Sequence, residues 1–328
     1  MPANLPPAYF EAEKRFREAK TPADKLACLD EMLAIVPKHK GTDKLRADLR
    51  KRSSKLKSAS QAKKGPSKRE SAFSIDREGA GQVVIVGPAN VGKSSLVATL
   101  TNANPEVAPF PYTTWKPMPG MMSVENIQIQ LIDTPPLGRD YVEPAFMDLI
   151  RRADLVLLTV DLQNGPLKQW EDSVALLEEH HIVAYHLKHR YGEESRFTFI
   201  PFVVLANKND DKDSQETFDI LCELAEAEWT LVCCSVTLGS NLTQLKQTLV
   251  EGLDIIRVYS KSPGKKPDFN SPFVLTRGST ILDFAGRIHK DFLKTFKSAR
   301  VWGTSVYDGQ MVQRDYVLQD EDVVELQT

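Results

Sequence analysis

The segment Gly87-Pro88-Ala89-Asn90-Val91-Gly92-Lys93-Ser94 constrains the fold more than any other part of the chain. It follows a short β-branched run, Val83-Val84-Ile85-Val86, and leads into the helix-forming Ser95-Leu96-Val97-Ala98-Thr99-Leu100. A GxxxxGK[ST] pattern between a strand and a helix lets the backbone curl until successive N–H groups face phosphate oxygens. The helix N-terminus adds the positive end of its dipole. In such a loop Lys93 reaches the β- and γ-phosphates, and the Ser94 hydroxyl binds Mg²⁺.

Further apolar runs at Ile127–Ile132, Leu155–Val160, Phe202–Leu205 and Thr230–Cys234 read as strands, with helical stretches between several of them. Alternating strands and helices predict an α/β fold with a mainly parallel, doubly wound sheet. Two of these runs end in polar loops that select a base. Asn207-Lys208-Asn209-Asp210 follows one strand, and Asp210 is placed to accept from guanine N1–H and N2–H₂. Adenine lacks that donor pair and would leave the carboxylate unpaired, a costly mismatch. Lys208 can lie along the base. Ser235-Val236-Thr237, after the next strand, sits where a loop closes over guanine O6.

The remainder of the chain divides by composition. Residues 1–57 read as a helical hairpin: Thr21-Pro22-Ala23-Asp24 is a helix start, and Leu26, Leu29, Met32 and Leu33 recur at helical spacing. Thr42 caps a second helix carrying Leu45 and Leu49. Residues 58–79 read as a linker, 80–262 as the nucleotide-binding domain, and 270–328 as a small α+β domain. The net charge of −2 hides an asymmetry: Lys38–Arg69 holds 13 Lys/Arg against two acidic residues, so the rest of the chain carries −13. A block of that kind is an electrostatic footprint for a polyanion. Hydrophobic residues at 41% and charged residues at 26% exclude a disordered or fibrous chain. No apolar run has the ~18 residues a membrane span requires, and the N-terminus lacks the features of a secretory leader. Cys28, Cys222, Cys233 and Cys234 show no CxxC spacing. A reducing, cytoplasmic setting is therefore expected.

Taken together, these motifs resemble the P-loop GTPases of the Obg family and, within it, the developmentally regulated GTP-binding proteins. Asn90-Val91-Gly92-Lys93-Ser94-Ser95-Leu96 matches that class, as does Tyr112-Thr113-Thr114, which lies 20 residues after Ser94. The resemblance implies that Thr114, in switch I, supplies a second Mg²⁺ ligand. It also implies that Asn90 ligates K⁺ in place of an arginine finger. Ile256-Arg257-Val258-Tyr259, Lys265-Lys266-Pro267, Arg287–Phe292 and Ala299-Arg300-Val301-Trp302-Gly303 resemble the TGS domain, a ubiquitin-like β-grasp module. The likeness covers roughly 80–328. Developmentally regulated GTP-binding proteins carry a further domain inserted within the G domain, for which the stretch between Val160 and Asn207 is too short. Contact with RNA or the ribosome, through Lys38–Arg69 and the TGS domain, is what the family implies. A protein regulator is a further partner to expect.

One motif departs from the family. After the strand Ile127–Ile132 the chain reads Asp133-Thr134-Pro135-Pro136-Leu137-Gly138 where DxxG is expected. Asp133 is in place to hold Mg²⁺ through water. The glycine that donates an N–H to the γ-phosphate is Pro136, which has no N–H and a fixed φ. Losing one such bond to a charged group costs about 1.5–3 kcal/mol. Leu137 stands where a glutamine would orient water, so slow hydrolysis is expected. Two readings follow: a slow switch in which Lys93, Thr114 and Asp133 carry catalysis, or a nucleotide-stabilised adaptor without useful turnover. Elsewhere, His180, His181, His186 and His189 read as a polar surface segment, and Cys233-Cys234 as buried core. Glu321, Asp322 and Glu325 read as a solvated strand edge, and Trp302 as core of the small domain.

Overall fold

The computed structural model describes residues 6–18, 22–36, 49, 73–101, 116–138, 143–192, 196–225, 228–289 and 291–327. Two compact units divide the chain, residues 1–71 and 72–328. In the first, α1 (Pro7–Glu18) packs on α2 (Pro22–Ile35), which is the helix expected to start at Thr21-Pro22, while the partner helix expected from Thr42 lies outside the described residues except for Leu49. Tyr9, Ala12, Leu29, Met32, Val36 and Leu49 make its core. Pro22 opens α2 as a first-turn proline should, because its missing N–H is an unbonded position there. Apart from Leu49, the basic block Lys38–Arg69 lies outside the described residues, as does Thr21.

The second unit begins with a six-stranded sheet, built from β1 (Gln82–Val86), β2 (Met118–Val124), β3 (Ile127–Asp133), β4 (Leu155–Asp161), β7 (Phe202–Asn207) and β8 (Thr230–Cys233). Its order is β2-β3-β1-β4-β7-β8. All pairings are parallel except the β2–β3 hairpin. Alternation along β1 shows why both faces are covered. Val84 and Val86 enter one core with Phe146 and Ile150 of α4 (Pro144–Arg151) and Trp170 and Leu177 of α5 (Pro166–Glu179). Val83 and Ile85 enter another with Leu96 of α3 (Lys93–Leu100) and Leu245 and Leu249 of α7 (Leu242–Gly252). Between them in sequence, α6 (Lys212–Leu224) buries Leu221 in the first of these cores. Strands buried on both faces read as continuous apolar runs, which is the pattern the sequence carries.

Between β4 and β7 the described residues include α5 and a small parallel pair, β5 (Ile182–Ala184) with β6 (Thr198–Ile200). A 3₁₀ turn over Tyr185–Arg190 follows β5.

The second sheet has five strands in the order β10-β9-β13-β11-β12. They are β9 (Ile255–Ser260), β10 (Phe273–Thr276), β11 (Ser298–Trp302), β12 (Gln310–Val312) and β13 (Val323–Gln327). The parallel pair β9–β13 lies at its centre, and α8 (Ile281–Ile288) covers it with Ile281, Phe284 and Ala285. This is the β-grasp arrangement. β9 pairs into this sheet, so residues 255–260 lie with the small domain although the expected bounds put them in 80–262, and the sheets divide before Ile255. α8 ends at His289, whose backbone is extended, and a short second helix, α9 (Phe292–Thr295), follows.

Three readings of this domain are corrected. Trp302 is not core: Ala299 and Val301 point inward, so Trp302 falls on the opposite face of β11, with Lys261 Nζ 4.5 Å from its ring centroid. Asp322 and Glu325 are buried, unlike the exposed Glu321. Asp322 accepts the Gln319 N–H at 2.8 Å, and Glu325 pairs with Lys261. Lys261 compensates the burial of Glu325, whereas Asp322 Oδ1 has no hydrogen-bond partner among the described residues and desolvation raises the Asp322 carboxyl above the usual carboxylate value. Cys233 and Cys234 are buried as expected.

Candidate functional site

The loop between β1 and α3 owes its shape to two glycines. Gly87 has φ 147°, and a Cβ there would meet the Thr159 carbonyl at 2.2 Å. Gly92 has φ 94°, and a Cβ there would lie 2.3 Å from Asn207 Nδ2. Only glycine permits both the left-handed turn and the close approach. Asn90 stands exposed at the loop's tip with φ 63°. Lys93 is buried, and its ammonium donates to the Gly87 and Pro88 carbonyls at 2.9 and 2.7 Å. Ser94 Oγ donates to Asp133 Oδ2 at 2.6 Å, which joins the start of α3 to the end of β3. Ser95 follows, half-buried in the first turn.

The two loops expected to select a base lie at the carboxyl ends of neighbouring strands, where ligands sit in open α/β sheets. Asn207 ends β7 and donates from Nδ2 to the Val91 carbonyl at 2.8 Å, tying the base loop to the phosphate loop. Lys208 has φ 65°, and its ammonium is held 2.5 Å from Asp161 Oδ2. Asp210 accepts from the Ser235 hydroxyl, which in turn accepts the Leu238 N–H at 2.9 Å. Val236 packs beside it on the second core. Cys234, on the same strand end, reaches Asn207 Oδ1 at 3.5 Å, and burial pushes its thiol up to about 12. A thiol held neutral in this way packs and donates; it is no nucleophile at neutral pH.

The segment after β3 is anchored. Thr134 donates to the Ile85 carbonyl at 2.6 Å, and the Leu137 N–H donates to the Gly87 carbonyl at 3.0 Å. Pro135 and Pro136 are buried, and the Leu137 side chain is part of the first core. Gly138 (φ 92°) is exposed, with nothing near its missing Cβ. Thr114, with the neighbouring Phe110 and Trp115, lies outside the described residues.

Asp161 and Gln163 were not foreseen from the sequence. Asp161 is buried at the end of β4, accepts the Gln163 N–H at 3.0 Å and holds Lys208. Gln163 reaches the Lys208 carbonyl at 3.3 Å and Asp210 Oδ2 at 3.4 Å. The usable signal was position alone: both follow a strand next to the phosphate strand. The histidines scatter. His186 stacks edge-on against Trp229 at 4.4 Å, its desolvation holding it below the usual imidazole value, while His181 lies against Phe197 at 5.2 Å. Among the described residues no cluster of His, Cys, Asp and Glu forms a metal centre, and no helix is long and apolar enough to cross a membrane.

The family described as 50S ribosome-binding GTPase matches residues 82–208, and the TGS domain family matches 256–328. An uncharacterized GTP-binding protein of Methanocaldococcus jannaschii is 29% identical over 356 residues, with 90% of each chain covered. Developmentally-regulated G-protein 1 of Arabidopsis thaliana is 27% identical over 90% of this chain and 88% of its own. The crystal structure of a GTP-binding protein from Pyrococcus horikoshii shares the fold at TM-score 0.52 and 14% identity, covering 75% of this chain and 99% of that one.

Proposed function

The chain is a GTP-binding P-loop GTPase, similar to the developmentally regulated GTP-binding proteins and carrying a C-terminal TGS domain, and from that premise we propose a slow, Mg²⁺-dependent nucleotide switch. The observation that carries the proposal is the Asn207–Val91 bond at 2.8 Å, which joins a phosphate loop to a guanine-selecting loop in one site. The residues fit a Mg²⁺-nucleotide. Two glycines leave room where any Cβ would clash, and a hydroxyl and a carboxylate converge within 2.6 Å. A hard, oxygen-only donor set of this kind suits Mg²⁺.

In this reading the backbone of Gly87–Ser94, including Asn90, Val91, Gly92 and Ser95, cradles the phosphates, and Lys93 neutralises their charge. Ser94, Thr114 and Asp133 would hold Mg²⁺, which would supply positive charge to offset that of the phosphates. Asp210 reads the guanine edge, Lys208 lies along the base with its charge anchored by Asp161, and Ser235 and Val236 border O6. Asn90 is the residue proposed to ligate K⁺. Leu137, turned into the core, orients no water, which supports slow turnover. The basic block and the TGS domain are proposed to contact RNA on the ribosome. The domains fall at 1–57, a linker to 79, and the G and TGS domains beyond it.

One observation favours a second reading. Pro136 offers no N–H, and the Leu137 N–H is already bonded to Gly87. That segment would then sense the γ-phosphate poorly, and the chain would act as a nucleotide-stabilised adaptor. Single-turnover hydrolysis of GTP, with and without K⁺ and ribosomes, separates the two. Turnover that rises with either supports the switch; none under any condition supports the adaptor.

A further inference from the structure

In the nucleotide-switch reading, the β2–β3 hairpin lies in sequence between the two segments expected to meet the terminal phosphate. β2 begins at Met118, just after the segment carrying Thr114, and β3 ends at Asp133. The two strands are paired along their whole length, from Met118↔Asp133 to Val124↔Ile127. A shift of one end therefore moves the other.

The far end of this hairpin, Glu125-Asn126, is held by the second sheet. Asn126 Nδ2 donates to Tyr259 Oη at 2.8 Å and to the Phe269 carbonyl at 3.1 Å. Asn126 Oδ1 is buried and has no hydrogen-bond partner among the described residues. Tyr259 is 5% exposed and stands edge-on to Phe269 at 5.0 Å. The Arg257 guanidinium spans Glu125 on the hairpin, Asp320 at 2.7 Å and Glu321 at 3.1 Å. The grip thus draws on β9, the loop after it and the turn before β13.

The covalent joint adds no slack. Only Leu253 and Asp254 separate α7 from β9. Leu253 is buried against Gly81, and Asp254 takes Arg277 through both its carbonyl and its carboxylate at 2.8 Å. A joint without slack transmits motion instead of absorbing it. Parting the hairpin tip from β9 would exchange the two Asn126 Nδ2 bonds for water while hydrating the Oδ1 that has no partner when docked, so the docked and parted arrangements satisfy different ends of one amide and form two discrete alternatives.

We propose that Asn126, Arg257 and Tyr259 are positioning residues for the nucleotide switch: by gripping the hairpin tip, the TGS domain sets how Asp133, at the other end of β3, responds to the terminal phosphate. The proposal rests on the nucleotide-switch reading above. Coupling of this kind is reciprocal, so the bound nucleotide alters the TGS domain by the same factor.

The test uses the full chain, its Tyr259→Phe variant and its Asn126→Ala variant. Affinities for fluorescent GDP and a non-hydrolysable GTP analogue are measured, with hydrogen exchange followed over residues 255–269. In the parent, exchange there differs between the two nucleotides. In the variants that difference shrinks, and the ratio of the two dissociation constants shifts about two- to thirtyfold. Tyr259→Phe removes one acceptor oxygen without changing shape, so it stays informative even where Asn126→Ala fails to fold. Arg257→Lys, whose single ammonium cannot span Glu125, Asp320 and Glu321 at once, shifts the ratio in the same direction as the other variants. Unchanged ratios in both variants, or identical exchange of the parent with either nucleotide, overturn the proposal while leaving nucleotide binding intact. A parent that binds neither nucleotide overturns the nucleotide reading, and this proposal with it.

Discussion

Gly92 and Asn207 stand 115 residues apart in sequence and meet in one contact. A methyl at Gly92 would displace the Asn207 amide from the Val91 carbonyl and force a side chain into a left-handed backbone. Those two penalties together predict that Gly92→Ala lowers GDP affinity about a hundredfold or more, measured by calorimetry on a chain whose circular dichroism is unchanged. A loss of less than about threefold, well under the worth of one buried hydrogen bond, would show the contact unimportant. Pro136→Gly works in the opposite sense: it returns an N–H and a free φ to the switch. The GTP analogue should then gain about tenfold over GDP, the worth of one bond to a charged acceptor. No gain would place γ-phosphate sensing elsewhere. Each motif residue was legible in isolation, since spacing and strand context name them. Asp161 was not, because an aspartate at a strand end has no pattern of its own. Asp322 and Glu325 misled for a general reason: acidic residues in a row read as solvated, and only the fold shows that they are buried.

The elements follow from their residues to unequal degrees. β1, β4 and β7 are β-branched or leucine-rich runs, and parallel strands covered on both faces leave that signature. β2 (Met118–Val124) carries a proline, a glycine and three methionines, weak strand formers, and is a strand because β3 pairs with it. β5 and β6 are three residues each, too short to announce themselves. α8 declares its start clearly: the Thr280 side chain accepts the Asp283 N–H at 3.4 Å, and Asp283 accepts the Thr280 N–H at 2.7 Å. Thr280→Ala should lower stability by about 0.5–2 kcal/mol in chemical denaturation, and Thr280→Ser by little. An alanine variant as stable as the parent would show the cap idle. These bonds hold the Asp283 carboxyl below its usual 3.8. Its contribution is therefore complete above that value and is lost as pH falls through the lower folded value. Near pH 7 the cap's stability should not vary with pH. A change in the Thr280→Ala difference between pH 6 and 8 would contradict that.

At the scale of the molecule, charge separates into a basic block, Lys38–Arg69, and an acidic remainder. RNA contact through that block predicts salt-dependent binding, because each neutralised phosphate releases counterions. Replacing Arg50, Lys51 and Arg52 together by glutamine should weaken binding to single-stranded RNA. It should also reduce the magnitude of the log K against log salt slope by about 2. A slope that does not change would move the RNA surface off this block. The central claim is that one site binds guanine nucleotide and senses its terminal phosphate despite Pro136. Calorimetry with GDP, GTP and a non-hydrolysable GTP analogue, in Mg²⁺ with K⁺ and then with Na⁺, tests it most directly. The account predicts that the analogue binds at least as tightly as GDP and that K⁺ strengthens it. GDP favoured by about tenfold or more, a difference of about 1.4 kcal/mol, with K⁺ and Na⁺ indistinguishable, would contradict it.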